Sequence, residues 1–136
     1  MTLINEQKLI TLGVYSLETI LPRIGFGKKS IMFDTMYGDV SVKVNSVRME
    51  CFRRNQKCII CQLVANRFLL QSFGKLNGTH LNLYFVEDFD TKKVLYTRDH
   101  WVPRRWGGSN GITNARTMCW DCNQNKKDKF PPSPLG

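Results

Sequence analysis

The chain has 136 residues, 42% hydrophobic and 23% charged, which is enough for one modest core and too few for two full domains. No run reaches the roughly 18 to 20 apolar residues of a membrane helix, and Met1 to Lys8 show no charged leader ahead of an apolar core. Ten Gly and five Pro exclude collagen-like and low-complexity chains. Twenty Lys and Arg against eleven Asp and Glu give +9 and a pI near 9.6. Such a balance suits a polyanionic partner, most simply nucleic acid, although membrane-surface and ribosome-associated proteins share it. Residues 1–57 carry +4, residues 58–98 carry +2 and residues 99–136 carry +3. A positive face must therefore be assembled by folding rather than carried on a detachable arm.

In chain order, Ser16 to Leu21 reads as a short helix ended before Pro22. Ile24-Gly25-Phe26-Gly27-Lys28-Lys29-Ser30 resembles a phosphate loop but fails its pattern, because Pro22 stands where the first Gly belongs; it is a basic loop. Val40, Val42 and Val44 alternate with Ser41 and Lys43, a half-buried strand after the Tyr37-Gly38-Asp39 turn. Asn45 or Ser46 then caps a helix over 46–56, with Val47 and Cys51 inward and Arg48, Arg53 and Arg54 outward. Cys51 reads as a small buried hydrophobe. Leu63 to Gln71 reads as helix, and 73–79 as loop; its Asn77-Gly78-Thr79 sequon means nothing in a chain that is not exported. Leu81, Leu83 and Phe85 form a strand, 87–90 a turn, and Val94 to Thr97 the returning strand of a hairpin. The Pro-rich end, 130–136, reads as a flexible tail.

Cys58-Ile59-Ile60-Cys61 and Cys119-Trp120-Asp121-Cys122 are two C-x-x-C knuckles. The two-residue gap turns both thiolates of a knuckle toward one point, so Cys58, Cys61, Cys119 and Cys122 suit a closed tetrahedral Zn²⁺ site. The 57 residues between Cys61 and Cys119 exceed zinc-ribbon spacing, so something is inserted. Disulfides and a single redox pair are the alternatives; a reducing interior disfavours the first and the second strands one knuckle. A site closed by four thiolates holds the fold and performs no hydrolysis.

Around the knuckles runs Thr97-Arg98-Asp99-His100-Trp101-Val102-Pro103-Arg104-Arg105-Trp106-Gly107-Gly108, followed by Asn114 and by Asn123-Gln124-Asn125-Lys126. C-x-x-C, T-x-D-H-x-x-P-x-x-x-G-G, N and C-x-x-C-N-x-x-K in this order resemble the His-Asn-His (HNH) endonucleases with a four-cysteine zinc and a ββα-metal motif. The resemblance covers residues 58–129. It implies that His100 is the general base, that Asp99 and Asn123 bind a catalytic metal, and that Asn114 braces the loop carrying the base. The third position of the pattern is Asn123 rather than His, as in many relatives, and an oxygen ligand tilts the site toward Mg²⁺ or Mn²⁺.

The chemistry agrees with these roles. A neutral imidazole takes a proton near pH 7, and a carboxylate with an amide oxygen suits a hard cation that supports the phosphate and the leaving oxygen. Asp99 and His100 are adjacent, so a strand would point them to opposite sides unless its end is bent. Taken singly, an Asp-His pair reads as a structural hydrogen bond, Asn114 as a turn residue and Asn123 as a helix cap; the joint pattern makes the catalytic reading. His80 reads as structural. Arg104, Arg105, Lys126, Lys127 and Lys129 are phosphate contacts to DNA, Gly107 and Gly108 allow close approach or positive φ, and the three Trp pack a small core.

The expectation is a single α+β fold: an N-terminal extension (1–57) adding a strand and helix, a zinc-stapled nuclease core (58–129) and the tail. The function expected is metal-dependent endonucleolytic cleavage of DNA to 5′-phosphate and 3′-hydroxyl ends, in the cytoplasm of a bacterium or phage-infected host. The resemblance places small members in phages, mobile elements and defence systems. The partners are DNA, no membrane, and an undetermined oligomeric state with a homodimer open. The alternatives are a zinc-stabilised nucleic-acid-binding module without catalysis and a zinc hydrolase; the second lacks His ligands, since only two His exist.

Overall fold

Strict alternation at 81–85 and 94–97 builds the centre of the fold. The computed structural model describes residues 9–74, 78–127 and 129; the tail, residues 1–8 with the leader reading made on them, and positions 75–77 of the 73–79 loop lie outside them. Among the described residues, seven strands and three α-helices follow in chain order: β1 (Ile10–Ser16), α1 (Leu17–Ile20), β2 (Ser30–Thr35), β3 (Gly38–Lys43), α2 (Val47–Arg54), β4 (Arg67–Ser72), β5 (His80–Asp88), β6 (Lys92–His100), β7 (Ala115–Cys119) and α3 (Trp120–Lys126). The fold is α+β, with antiparallel order β1-β4-β5-β6-β7 in one sheet and β2-β3 as a separate hairpin.

The caps explain both N-terminal helices. Ser16 accepts from Thr19 N at 3.2 Å and Ser46 from Met49 N at 3.1 Å, each satisfying an orphan donor. Of the two caps open for α2, Ser46 is used. The hairpin buries Ile31, Phe33 and Val42, and the cluster continues through Met49 and Phe52 of α2 to Phe68, Leu70, Leu81, Leu83, Tyr96 and Met118 of the large sheet. The basic loop is tied down from inside: Phe26 N donates to Glu50 Oε1 at 2.8 Å, and Gly25 N to Val44 O at 2.7 Å. A protein carboxylate thus occupies an amide that a phosphate would need. Gly25 has φ +106°, and a Cβ there would stand 2.5 Å from Glu50 Oε1.

Three local expectations change. Where one strand was expected in the first 57 residues, three stand beside the two expected helices, because β1 finds a partner in β4 and the β2-β3 hairpin closes on itself. Leu63 to Gln71 is not helical. The first knuckle holds 57–65 by Cys58 N to Leu63 O (3.0 Å) and Ala65 N to Gln56 O (2.8 Å), and β4 then pairs on both sides, with β1 and β5. A short apolar run buried on both faces has no period to read. Arg48 turns inward rather than outward: it donates to Leu81 O (3.1 Å) and Asn82 Oδ1 (2.7 Å) and lies 5.0 Å from the Phe52 ring centroid. Burial draws its pKa down to about 10. Cys51 is buried as expected, its thiol raised by burial and 3.4 Å from Thr117 Oγ1.

Candidate metal centre and nuclease site

The thiols of Cys58, Cys61, Cys119 and Cys122 lie within 4.8 Å of one another, and no disulfide links them. Cys61 and Cys119 are 3.8 Å apart, the separation of about 3.8 Å that a tetrahedron with Zn–S bonds of about 2.3 Å demands. Burial pushes Cys119 to about 11 and Cys122 upward, while Cys58 falls to about 7 because amides of Cys119, Cys61 and Ile60 outweigh its burial. The Cys58 thiolate forms readily, while Cys119 and Cys122 charge only against a cation, so this donor set suits zinc. Gln62, with φ +69°, closes the first knuckle, and Ile59 N bonds Thr117 O at 3.0 Å, which joins it to β7. Tyr96 donates to Leu63 O at 2.5 Å, joining it to β6.

β6, β7 and α3 form a ββα unit, with the long hairpin loop between the strands. Asn114 braces this loop. Its Oδ1 accepts from Val102 N at 2.8 Å, its Nδ2 donates to Val102 O (3.0 Å) and Ser109 O (2.9 Å), and its carbonyl accepts from Trp101 N at 2.9 Å. Both glycine readings hold: Gly107 has φ +90°, and a Cβ on Gly108 would stand 1.7 Å from Val102 O.

β6 keeps its register through His100, which pairs with Ala115, while Asp99 pairs with Arg116. The pleat therefore sends Asp99 and His100 to opposite sides, and the chain turns only after His100. On the α3 side, Asn123 Nδ2 donates to Thr97 Oγ1 at 2.9 Å, leaving its carbonyl oxygen as a donor for a metal. Asp99 Oδ2 is buried 2.9 Å from Lys126 Nζ, an ion pair without hydrogen-bond geometry. Thr97, Asp99, Asn123 and Lys126 thus form one group. On the other side, His100 Nε2 lies 2.8 Å from Asn110 Oδ1, and Asn110 O accepts from Arg98 Nη2 at 2.7 Å.

Lys126 is a correction. Its side chain is fully buried, bonded to His100 O at 3.2 Å and paired with Asp99, so it cannot be an open phosphate contact. The carboxylate needs a neutralising partner once α3 covers it. Arg104, Arg105, Lys127 and Lys129 are exposed. Trp106 and Trp120, expected in the core, are 63% and 47% exposed; only Trp101 packs on it, beneath Arg116 and Lys126. His80 begins β5 and is exposed, paired with Gln71. Asn110 and Arg98 were missed: Gly108-Ser109-Asn110-Gly111 reads as turn chemistry, and Arg98 as one charge among many.

Residues 87–134 match the family model described as HNH endonuclease. The match starts after the first knuckle, so Cys58 and Cys61 lie outside it. No characterised protein and no solved structure matches the chain. No helix of the described residues is long and apolar enough to cross a membrane.

Proposed function

We propose, from a segment of HNH type, that the chain hydrolyses DNA phosphodiester bonds and leaves 5′-phosphate and 3′-hydroxyl ends. The observation that carries this reading is the pinned imidazole. Asn110 Oδ1 only accepts, so the 2.8 Å contact needs a proton on His100 Nε2, and in the neutral imidazole Nδ1 then carries the lone pair. Nδ1 takes a proton from water, the water oxygen bonds to phosphorus, and the P–O3′ bond breaks; the 3′ oxygen takes its proton from solvent. Asn114, through Val102, holds the backbone next to the base. Asp99 and Asn123 are the residues that would hold Mg²⁺ or Mn²⁺; this requires the carboxylate to exchange Lys126 for the ion and the end of β6 to turn so that Asp99 and His100 meet one phosphate, where the ion would stabilise charge on the phosphate and the leaving oxygen. Exposed Arg104, Arg105, Lys127 and Lys129 supply phosphate contacts.

Incubation of supercoiled plasmid with Mg²⁺ or Mn²⁺ tests this, beside His100→Ala and a reaction without added metal. Nicked or linear product is expected only from the wild type with metal. Plasmid left supercoiled with both metals ends the enzyme reading, and equal cutting by His100→Ala removes the base.

A further inference from the structure

The C-terminal end of α2 lies over β7 at a recess of about 280 Å³, lined by Arg54, Asn55, Ile59, Thr113, Arg116 and Thr117 among others. None of the lining residues is acidic. Thr117 faces α2, since its hydroxyl donates to Asn55 O at 2.7 Å. Cross-strand partners share a face, so Arg98, paired with Thr117, and His100, paired with Ala115, lie on the recess side of the hairpin. Arg98 does not itself line the recess, but on this face its Nε is buried with no hydrogen-bond partner among the described residues, a condition that calls for a ligand or water. Arg54 is oriented through Nε to Glu50 Oε2 at 2.6 Å. Arg116, paired with Asp99, starts from the opposite face of the hairpin and reaches the recess lining only around the outer edge of β7, where Nη1 is held by Thr113 O (2.9 Å) and Ala115 O (3.0 Å). The Cys51 thiol feels all three guanidinium charges.

We infer that Arg54, Arg98 and Arg116 form a seat for a backbone phosphate of the nucleic acid, flanking the one presented to His100. Arg98 joins the two, since its Nη2 holds Asn110, which holds His100. The recess is several times the roughly 30 Å³ of a water molecule, room for a phosphodiester with part of its hydration. Guanidinium forks match phosphate oxygens and are the weaker-hydrated choice for such a seat. The seat joins the N-terminal segment to the nuclease hairpin: Arg54 comes from the first, Arg98 and Arg116 from the second. It rests on the nuclease reading for the identity of the polyanion, and its test does not require cleavage.

The test is fluorescence anisotropy of a labelled duplex of about 20 base pairs with the full zinc-loaded chain, without added Mg²⁺, across NaCl concentrations. Losing one phosphate contact lowers the log–log salt slope by about 0.9 and weakens binding about eightfold at 100 mM NaCl. Arg54→Gln and Arg98→Gln are each expected to do so. Arg53→Gln is the charge-matched control: Arg53 also pairs with Glu50 but lines a different recess, with Pro22 and Lys28. Arg54 is half exposed, 53%, so its variant keeps the fold and decides the matter if Arg98→Gln unfolds. Equal slopes for Arg53→Gln and Arg54→Gln, or no change in either, overturn the seat. An Arg54-dependent slope with uncut plasmid ends the nuclease reading alone; cutting with an unchanged slope ends the seat alone.

Discussion

Asn114 gives the most exacting test of how the hairpin loop is held. Asn114→Ala removes three side-chain hydrogen bonds, two to the Val102 peptide and one to Ser109 O. Each is worth about 1 kcal/mol net. Asn114 is half-buried, so water recovers part of the loss, and about 2 kcal/mol remains. That cost falls on opening of the loop more than on global unfolding, because β6 and β7 keep their ladder and the Trp101 N to Asn114 O bond is backbone. The assay is amide exchange at Val102, which should quicken about 30-fold, the equivalent of 2 kcal/mol. Asn114→Asp should be worse than Asn114→Ala: its carboxylate still accepts from Val102 N but faces two carbonyl oxygens that Nδ2 had satisfied. An unchanged Val102 rate in Asn114→Ala, or Asn114→Asp milder than it, would refute the bracing.

Two further outcomes follow from the staple and from Glu50. A strong chelator, or Cys122→Ser, should leave the knuckles without their cation and release α3 from β6; native mass spectrometry should show one Zn²⁺ retained by the wild type, and a metal-free chain melting at the same temperature contradicts the staple. Glu50 is buried and held at about 2, by Arg53 first and then by Phe26 N and Arg54, against the upward push of burial. A carboxyl lowered on folding stabilises fully above its unfolded value, about 4.3, and loses that contribution as pH falls toward about 2. Urea midpoints of the wild type should therefore drop between about pH 5 and 2 more steeply than those of Glu50→Gln; parallel profiles would be the contrary result.

The elements legible in the sequence are those whose cause is local. Ser16 and Ser46 cap helices through neighbours three residues on, the 81–97 hairpin announces itself by alternation, and Gly107 with Gly108 serve a loop only they can make. The site was legible as a list of residues, though not as an arrangement. Nothing near Arg48 or Lys126 in the chain says that each is drawn inward, one toward Asn82 and the other toward Asp99. Asn110 was hidden because its use depends on His100 meeting it across the loop.

By itself, the sequence determined the chemistry: four thiols in two knuckles, an Asp-His pair, two Asn at motif spacing, and a charge of +9. These are properties of residue type and covalent spacing, which survive any fold. The tertiary structure decided which of them meet. It paired β1 with β4, buried Lys126 against Asp99, sent Asp99 and His100 to opposite sides of a strand that stays in register, and placed Arg54 in a recess with Thr117 of β7. Burial, ion pairing and facing depend on partners dozens of residues away, which no local pattern encodes.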